Sequence, residues 1–341
     1  MSDSPSRYSR QERFAPIGPE GQQKIQQSSA LIVGCGALGS MIAERLARSG
    51  VGRIRIVDRE WVEHSNLQRQ TLFTEEDAAE SRPKAIAAQE HLRKINSSVH
   101  IDARVEDVDF QSIRSLGDDC DILLDGTDNF ETRFLVNDYA VKYQKPWIHA
   151  GCLGSSGQIL SIQPERTACF RCLVPELPPR EAMETCDSAG VLGSAIGIIA
   201  SWQAGEALKV LSGNLSALCR GLIVLDTWNN ECRIVELNPA KNCACCKQRE
   251  FDFLEGKIRT TVSVLCGKNA VQLESPQGAE DSLDSISQKL AGLGQVRQNA
   301  YFVKLAMDDF RITIFRGGRT VVEGTTSEME ARNVVARVLG S

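Results

Sequence analysis

The sequence predicts an α/β protein: a doubly wound, mainly parallel sheet with helices on both faces, plus a small C-terminal α+β domain. Three observations carry this expectation. Through the first 150 residues, short apolar runs alternate with segments of helical period, as in a parallel sheet with crossover helices. A glycine-rich turn, Gly34-Cys35-Gly36-Ala37-Leu38-Gly39, separates the first such run from the first long helical segment. Beyond residue 250 the pattern changes to strands of alternating hydrophobicity. A chain of 341 residues suits about two domains. We place them at residues 1–250 and 251–341.

The elements follow in order. Residues 1–28 are polar and read as a helix and a loop. SALIV is a strand, and the helix after the glycine turn runs through MIAERLARSG to Gly50, a common kind of helix stop. RIRIVD is the second strand and ends at Asp58. Lys84 to Ile95 has helical period, VHIDARV is a strand, and DILLDGTD is a buried strand ending in acidic residues. ETRFLVNDYAVKYQ is a helix, PWIHAGC a strand, and GQILSIQP a further strand leading to Cys169. LVPELPPREAMETCDSAG is rich in proline and charge and reads as a mobile surface loop. Ser188 to Gly205 is nearly uncharged. With its Gly, Ser and Gln, and with Glu206 and Lys209 just after, it reads as a buried helix and not a membrane span. LIVLD and RIVEL are strands before NCACCK. In the tail, TVSVL, YFVKLAM, FRITIF and TVVEG alternate as strands, and Gly317-Gly318 suits a hairpin turn. Ala331, Val334, Val335, Val338 and Leu339 form one apolar helix face.

Composition excludes several classes. A net charge of -5 argues against a nucleic-acid or anionic-membrane binder, which needs a basic surface. The N-terminus has no apolar stretch, so no secretory signal is read there and a cytoplasmic location is expected. Twelve cysteines in a chain of this kind point to metal or thiol chemistry, not to a disulfide scaffold.

Four motifs carry chemistry. Gly34, Gly36 and Gly39, between strand and helix, let a ligand approach backbone N–H groups at a helix N-terminus. Asp58 lies 19 residues after Gly39, where an acidic side chain accepts ribose hydroxyls. Together they indicate a Rossmann-like nucleotide site, although dehydrogenases use the same device. Cys169-Phe-Arg-Cys172 and Cys243-Ala-Cys-Cys246 supply four thiolates for a closed, structural Zn2+ site that clamps distant segments. Cys245 competes for a ligand position, and buried or redox thiols are the alternative. Ser65-Asn66-Leu67-Gln68-Arg69-Gln70, with Arg82-Pro83-Lys84, reads as a solvated loop or as cations over phosphates. Asp125-Gly126-Thr127-Asp128-Asn129 ends a strand, where a carboxylate holds Mg2+ or a side chain caps the next helix. The histidines at 64, 91, 100 and 149 have no ligand or triad spacing and read as surface or core residues.

Taken together, RYSRQ, GCGALG, Asp58, SNLQRQ, RPK, DGTDN-x-x-x-R-x-x-x-N, the paired C-x-x-C and TCDSAG resemble the MoeB/ThiF branch of the ubiquitin-activating superfamily. The pieces run in order from about residue 7 to residue 246. The resemblance implies ATP-dependent adenylation of the C-terminal glycine of a small ubiquitin-like sulfur carrier ending in Gly-Gly. It implies that Asp58 holds the ATP ribose, that Asn66, Arg69 and Lys84 meet the phosphates, and that Asp128, beside Asn129, binds Mg2+ and the reacting phosphate region. Arg10 would enter the neighbouring subunit's site, which implies a homodimer. Cys169, Cys172, Cys243 and Cys246 would hold zinc. Cys186, in TCDSAG, would take up the activated carrier as an acyl-sulfur conjugate or stay without chemistry. The sulfur donor would be a cysteine desulfurase or another sulfur donor.

The chemistry agrees with the resemblance. A C-terminal carboxylate, with a pKa of about 3.5, is ionised at neutral pH and needs no general base. It needs relief from anion–anion repulsion, which two arginines, a lysine and Mg2+ supply. The pathway would be thiamin or molybdopterin synthesis, with the long tail favouring thiamin. The tail would serve partner binding or subunit packing, and Cys266 reads as core. The competing readings are an NAD-dependent oxidoreductase and a non-catalytic carrier-binding adaptor.

Overall fold

Alternation inside the strands decides how the N-terminal part is layered. In β1 (Ser29–Val33), Ala30 and Ile32 face one side of the sheet, and Leu31 and Val33 face the other. All five residues are buried, so the strand reads as a continuous apolar run, as expected with both faces covered. The computed structural model describes residues 6–179, 189–258, 262–265, 269–273, 282–307, 309–316 and 319–339. They fall into two units, Met1–Ile258 and Arg259–Ser341.

The first unit holds an eight-stranded sheet of order β3-β2-β1-β4-β5-β6-β7-β8. Its other strands are β2 (Arg53–Val57), β3 (His100–Arg104), β4 (Ile122–Asp125), β5 (Trp147–Leu153), β6 (Ser156–Ile162), β7 (Leu222–Asp226) and β8 (Glu231–Val235). β1 to β5 pair in parallel, and β6, β7 and β8 continue the sheet antiparallel. The helices in chain order are α1 (Ser9–Glu12), α2 (Gly18–Gln27), α3 (Ala37–Ser49), α4 (Glu75–Ala79), α5 (Lys84–Ile95), α6 (Ile113–Gly117), α7 (Phe130–Lys142), α8 (Phe170–Leu173) and α9 (Gly193–Leu211).

One core joins α3, α5 and α9 to the Ala30/Ile32 face, and the other joins α6, α7 and the cysteine-bearing segments to the Leu31/Val33 face. Both faces are therefore covered by helices, the doubly wound arrangement expected from the sequence. β1 has β2 on one side and β4 on the other, so the chain switches direction across it. The crevice outside the carboxyl ends of such strands is where ligands bind. α3 stops at Gly50, which adopts a left-handed φ of 82°. The uncharged segment forms α9, whose Ile196, Ile199, Ala200 and Ala204 are buried. No helix among the described residues is long and apolar enough to cross a membrane.

The first unit runs past residue 250. Phe251, Phe253 and Leu254 are buried with Phe134 and Tyr139 of α7, and the Phe134 and Phe253 rings lie 4.7 Å apart. These aromatic side chains hold residues 251–254 in the larger core, so the second unit begins at Arg259.

The second unit is an antiparallel sheet of order β11-β12-β13-β14-β10-β9. The strands are β9 (Val262–Leu265), β10 (Ala270–Leu273), β11 (Gln295–Gln298), β12 (Phe302–Met307), β13 (Phe310–Phe315) and β14 (Thr320–Glu323). Leu283, Ile286 and Leu290 of α10 (Leu283–Leu290) and Ala331, Val334 and Val338 of α11 (Glu328–Leu339) pack with strand residues such as Val303 and Ile312. β10, β11 and α10 were not distinguished in the sequence, because each is short and lies among polar residues. The Gly317-Gly318 turn and Cys266 lie outside the described residues.

Candidate nucleotide site and cysteine cluster

The glycine turn sits at the carboxyl end of β1 and is locked to its neighbours. The Gly34 N–H donates to the Val57 carbonyl at 2.8 Å, and the Gly126 N–H donates to the Val33 carbonyl at 2.8 Å. Gly34 has a φ of 87°. A Cβ on Gly34 would lie 2.7 Å from the Gly126 oxygen, and one on Gly39 would lie 1.9 Å from the Gly34 oxygen. Gly126, to which the Asp125–Asn129 motif assigns no role of its own, completes the junction: its Cβ would lie 2.4 Å from the Gly34 oxygen. Gly36 differs, since nothing comes closer than 3.9 Å to the same position. It is the N-cap of α3 and offers no side-chain cap. The first N–H groups of a helix have no intrahelical partner, so this open end suits an anion.

Charged side chains surround that end. Asp58 Oδ2 accepts the Cys35 N–H at 2.6 Å, and Oδ1 accepts the Glu60 N–H at 2.6 Å. Burial raises the Asp58 carboxyl above its ordinary value, Lys84 opposes the rise and Glu60 adds to it. Lys84 begins α5, is buried, and donates from Nζ to Glu60 Oε2 at 2.6 Å. Burial works against its ammonium, but Glu60, Asp58 and Asp128 outweigh burial and hold it charged. Asp128 is exposed. Asn129 caps α7 by accepting the Thr132 N–H at 3.2 Å. The cap and the free carboxylate thus belong to adjacent residues.

The Ser65–Gln70 loop lies alongside. Asn66 is buried, and its Oδ1 accepts the Glu63 N–H at 3.1 Å, so it shapes the loop. Arg69 is half-buried and donates from Nη1 to the Ser65 carbonyl at 2.8 Å. A Cβ on Gly193, at the start of α9, would lie 3.0 Å from the Gln68 oxygen, so α9 begins against this loop. Gln70 is buried, and its Oε1 has no partner among the described residues. Gln70 lies in the Ser65–Gln70 motif, but the sequence gives it no role of its own. Glu60 is absent from every motif; its one signal in the sequence is its place two residues beyond Asp58.

Arg10 lies elsewhere. It is exposed on α1, which is fastened to the far end of α3. Gln11 Nε2 donates to the Ser49 carbonyl at 3.1 Å, and the Tyr8 ring fills the space beside Gly50. α3 has 13 residues. At about 1.5 Å each, its two ends are roughly 20 Å apart. Cys186 lies outside the described residues.

The cysteines of the two C-x-x-C pairs converge. The sulfur atoms of Cys169, Cys172, Cys243 and Cys246 all lie within 4.8 Å of one another. Cys169 is 3.8 Å from Cys172 and 3.6 Å from Cys243, and Cys172 is 3.6 Å from Cys246. Zn–S bonds of about 2.3 Å in a tetrahedron separate the sulfurs by about 3.8 Å, so the donor set fits zinc. Cys245 is not one of the four: it is fully buried, and its sulfur accepts from Asn137 Nδ2 at 3.2 Å while also touching Cys169. Asn137 Oδ1 also accepts the Phe170 N–H at 2.8 Å, tying α7 to the cysteine module.

Comparison with known proteins agrees with this architecture. Residues 8–247 match the ThiF family. The sulfur carrier protein ThiS adenylyltransferase of Bacillus subtilis is 41% identical over 338 residues, covering 98% of this chain and 99% of that one. The sulfur carrier protein adenylyltransferase of Thermus thermophilus is 36% identical over 245 residues, covering 70% of this chain and 90% of that one. Among solved structures, E. coli MccB bound to MccA-N7isoASN shares the fold, with a TM-score of 0.63 at 21% identity over 71% of this chain and 75% of that one. The glycine junction, the charged crevice beside it and the four-cysteine cluster are therefore those of a chain that belongs to the ThiF family.

Proposed function

We propose that this protein adenylates the C-terminal glycine carboxylate of a small ubiquitin-like sulfur carrier, consuming ATP and releasing pyrophosphate. The observation that carries the reading is the buried, charged Lys84 beside the open N-terminus of α3, with the exposed Asp128 within its electrostatic reach. The near-full-length similarity to the Bacillus subtilis enzyme supports it and favours a ThiS-type carrier, hence thiamin synthesis over molybdopterin.

The carboxylate oxygen attacks the α-phosphorus, a P–O bond forms, and the bond to pyrophosphate breaks. No proton moves, so no general base is required. The glycine turn and the α3 N-terminus receive phosphate oxygens, and Asp58 receives the ribose. Lys84 and Arg69 offset the charge on the departing pyrophosphate. Asp128 would hold Mg2+, which supplies further charge neutralisation when bound. Arg10 lies at the far end of α3 from its own chain's site, which is compatible with the role the family resemblance implies, in the partner's site of a homodimer. The four cysteines would hold a structural zinc that fastens α8 to the segment after β8. Cys186 would accept the activated carrier as an acyl-sulfur conjugate, its thiolate forming the C–S bond as the C–O bond to AMP breaks, and a desulfurase or other donor would supply the sulfur later. The second unit would serve partner binding or subunit packing. A nicotinamide cofactor would use the glycine turn and Asp58 but leave Lys84 and Asp128 without a role.

The test is ATP–pyrophosphate exchange with ThiS-type and MoaD-type carriers ending in Gly-Gly. Exchange that requires the ThiS-type carrier and disappears in Asp128→Ala is expected. Binding of a nicotinamide cofactor, with no exchange for any carrier, would overturn the reading.

A further inference from the structure

Behind Asp128 lies a buried set of polar groups that the adenylation chemistry does not consume. Asp125 ends β4, Arg133 lies in α7 and His149 in β5, and they are 1%, 8% and 0% exposed. Asp125 Oδ2 accepts from His149 Nδ1 at 2.6 Å and from Arg133 Nε at 3.0 Å. Its Oδ1 accepts the Thr127 N–H at 3.0 Å. Arg133 Nη2 donates to the Thr127 carbonyl at 2.7 Å and to the Ala150 carbonyl at 3.3 Å. His149 Nε2 faces the Gln158 amide nitrogen at 3.4 Å. A donor there assigns Nε2 as the acceptor and Nδ1 as the protonated nitrogen, so the ring is neutral. The rings of Phe170 and Trp147 close the pocket, 4.8 and 5.7 Å from the imidazole.

These bonds act on a single turn. The Thr127 carbonyl carbon is bonded to the Asp128 nitrogen, so the Arg133 clamp grips the peptide unit that carries Asp128. Gly126, on the other side, is wedged against Gly34. The turn is thus fixed between the glycine junction and the Asp125 network. Burying a carboxylate, a guanidinium and an imidazole together is expensive, and an apolar set of the same volume is often as stable. What the polar set provides is direction: Asp125 must meet Thr127, Arg133 and His149 at once, which allows one placement of the turn.

We propose that His149 is a positioning residue for adenylation, acting through Asp125 to fix the turn that presents Asp128 to the reacting phosphates. This rests on the adenylation reading above. ATP itself is gripped by the glycine turn, Asp58 and Lys84, which His149 does not touch. Loss of the His149–Asp125 bond therefore lowers kcat and leaves the KM for ATP nearly unchanged. A misplacement of about 1 Å costs on the order of a hundredfold in rate.

Two amide variants separate the halves of the ring. In His149→Asn the amide nitrogen takes the place of Nδ1 and keeps the bond to Asp125. In His149→Gln the amide reaches toward Gln158 and gives that bond up. Both stay polar and neutral, and their melting temperatures are measured alongside the carrier-dependent exchange. The expected result is kcat in His149→Gln lower by roughly ten- to a hundredfold with ATP KM within about twofold, and kcat in His149→Asn within about threefold of wild type. Equal kcat in both variants would overturn the proposal, as would a loss that appears in ATP KM alone. A wild-type protein without carrier-dependent exchange would overturn the adenylation reading, and this proposal with it. If His149→Gln does not fold, Gln158→Leu is the control. It removes only the Nε2 contact, so it should keep kcat, and a tenfold fall there would equally refute the role of Nδ1.

Discussion

The Cβ that Gly39 lacks would lie 1.9 Å from the carbonyl oxygen of Gly34, inside the range where atoms cannot coexist. The contact is backbone to backbone, so no side chain can yield. Gly39→Ala should therefore force the glycine turn open and destabilise the fold by about 1–3 kcal/mol or more. Gly36→Ala should behave differently, because nothing lies within 3.9 Å of its Cβ position. Its melting temperature should stay near wild type while ATP affinity falls by roughly tenfold, since a methyl group on the N-cap residue would crowd an anion approaching the start of α3. Calorimetric titration of ATP against both variants, with thermal melts, distinguishes them. Equal loss of stability in both would refute the distinction.

That contrast shows how far the sequence could be read. The strand–glycine–helix pattern with Asp58 was legible because each residue acts on its immediate neighbours. The need for glycine at 126 was not, because its cause is the Gly34 oxygen, far away in sequence and adjacent only after β1 pairs with β4. Glu60 was missed for the same reason: its partner Lys84 arrives on another element. The domain boundary depended on aromatic residues at 251 and 253 docking on α7, a tertiary event with no local signal.

Arg10 offers a test of the proposed dimer. It sits near the C-terminal end of α3, and the glycine turn is at the other end. If Arg10 serves the partner's site, Arg10→Ala and Asp128→Ala are each inactive as homodimers. In a mixed dimer, one site unites a native Asp128 with a native Arg10 from the other chain, and the second site lacks both. Co-refolded equal mixtures should therefore recover about a quarter of wild-type exchange, half of the dimers having one competent site of two. No recovery, with mixed dimers verified by mass spectrometry, would place Arg10 outside the partner's site.

The choice between Cys245 and Cys246 is likewise open to measurement. The Cys246 sulfur lies 3.6 Å from that of Cys172, whereas the Cys245 sulfur is engaged by Asn137. Cys246→Ser should lose the metal and several kcal/mol of stability, because a closed zinc site contributes its binding energy to folding. Cys245→Ser should retain about one zinc per chain and lose little, as serine can still accept from Asn137. Elemental analysis of the purified variants decides this. Zinc retained in Cys246→Ser and lost in Cys245→Ser would reverse the assignment.

The Asp125–His149 pair predicts how stability depends on pH. Burial lowers the affinity of His149 for a proton; Asp125 opposes this and Arg133 reinforces it, and the balance keeps His149 below its ordinary value. Burial alone would raise the Asp125 carboxyl, but Arg133 and His149 more than offset it and hold it below the ordinary range. Both groups bind protons more readily in the unfolded chain, so both destabilise the fold as pH falls. The His149 contribution begins to be lost as pH drops below about 6.5, and that of Asp125 only as pH drops below about 3.9. Replacing His149 by Asn removes the first limb and keeps the hydrogen bond to Asp125. The melting temperature of His149→Asn should therefore fall less than that of wild type between about pH 7 and pH 5, and the two curves should steepen together at lower pH. Parallel curves throughout would mean that His149 does not resist protonation in the folded protein. The neutral ring assigned from its contact with Gln158 would then be wrong.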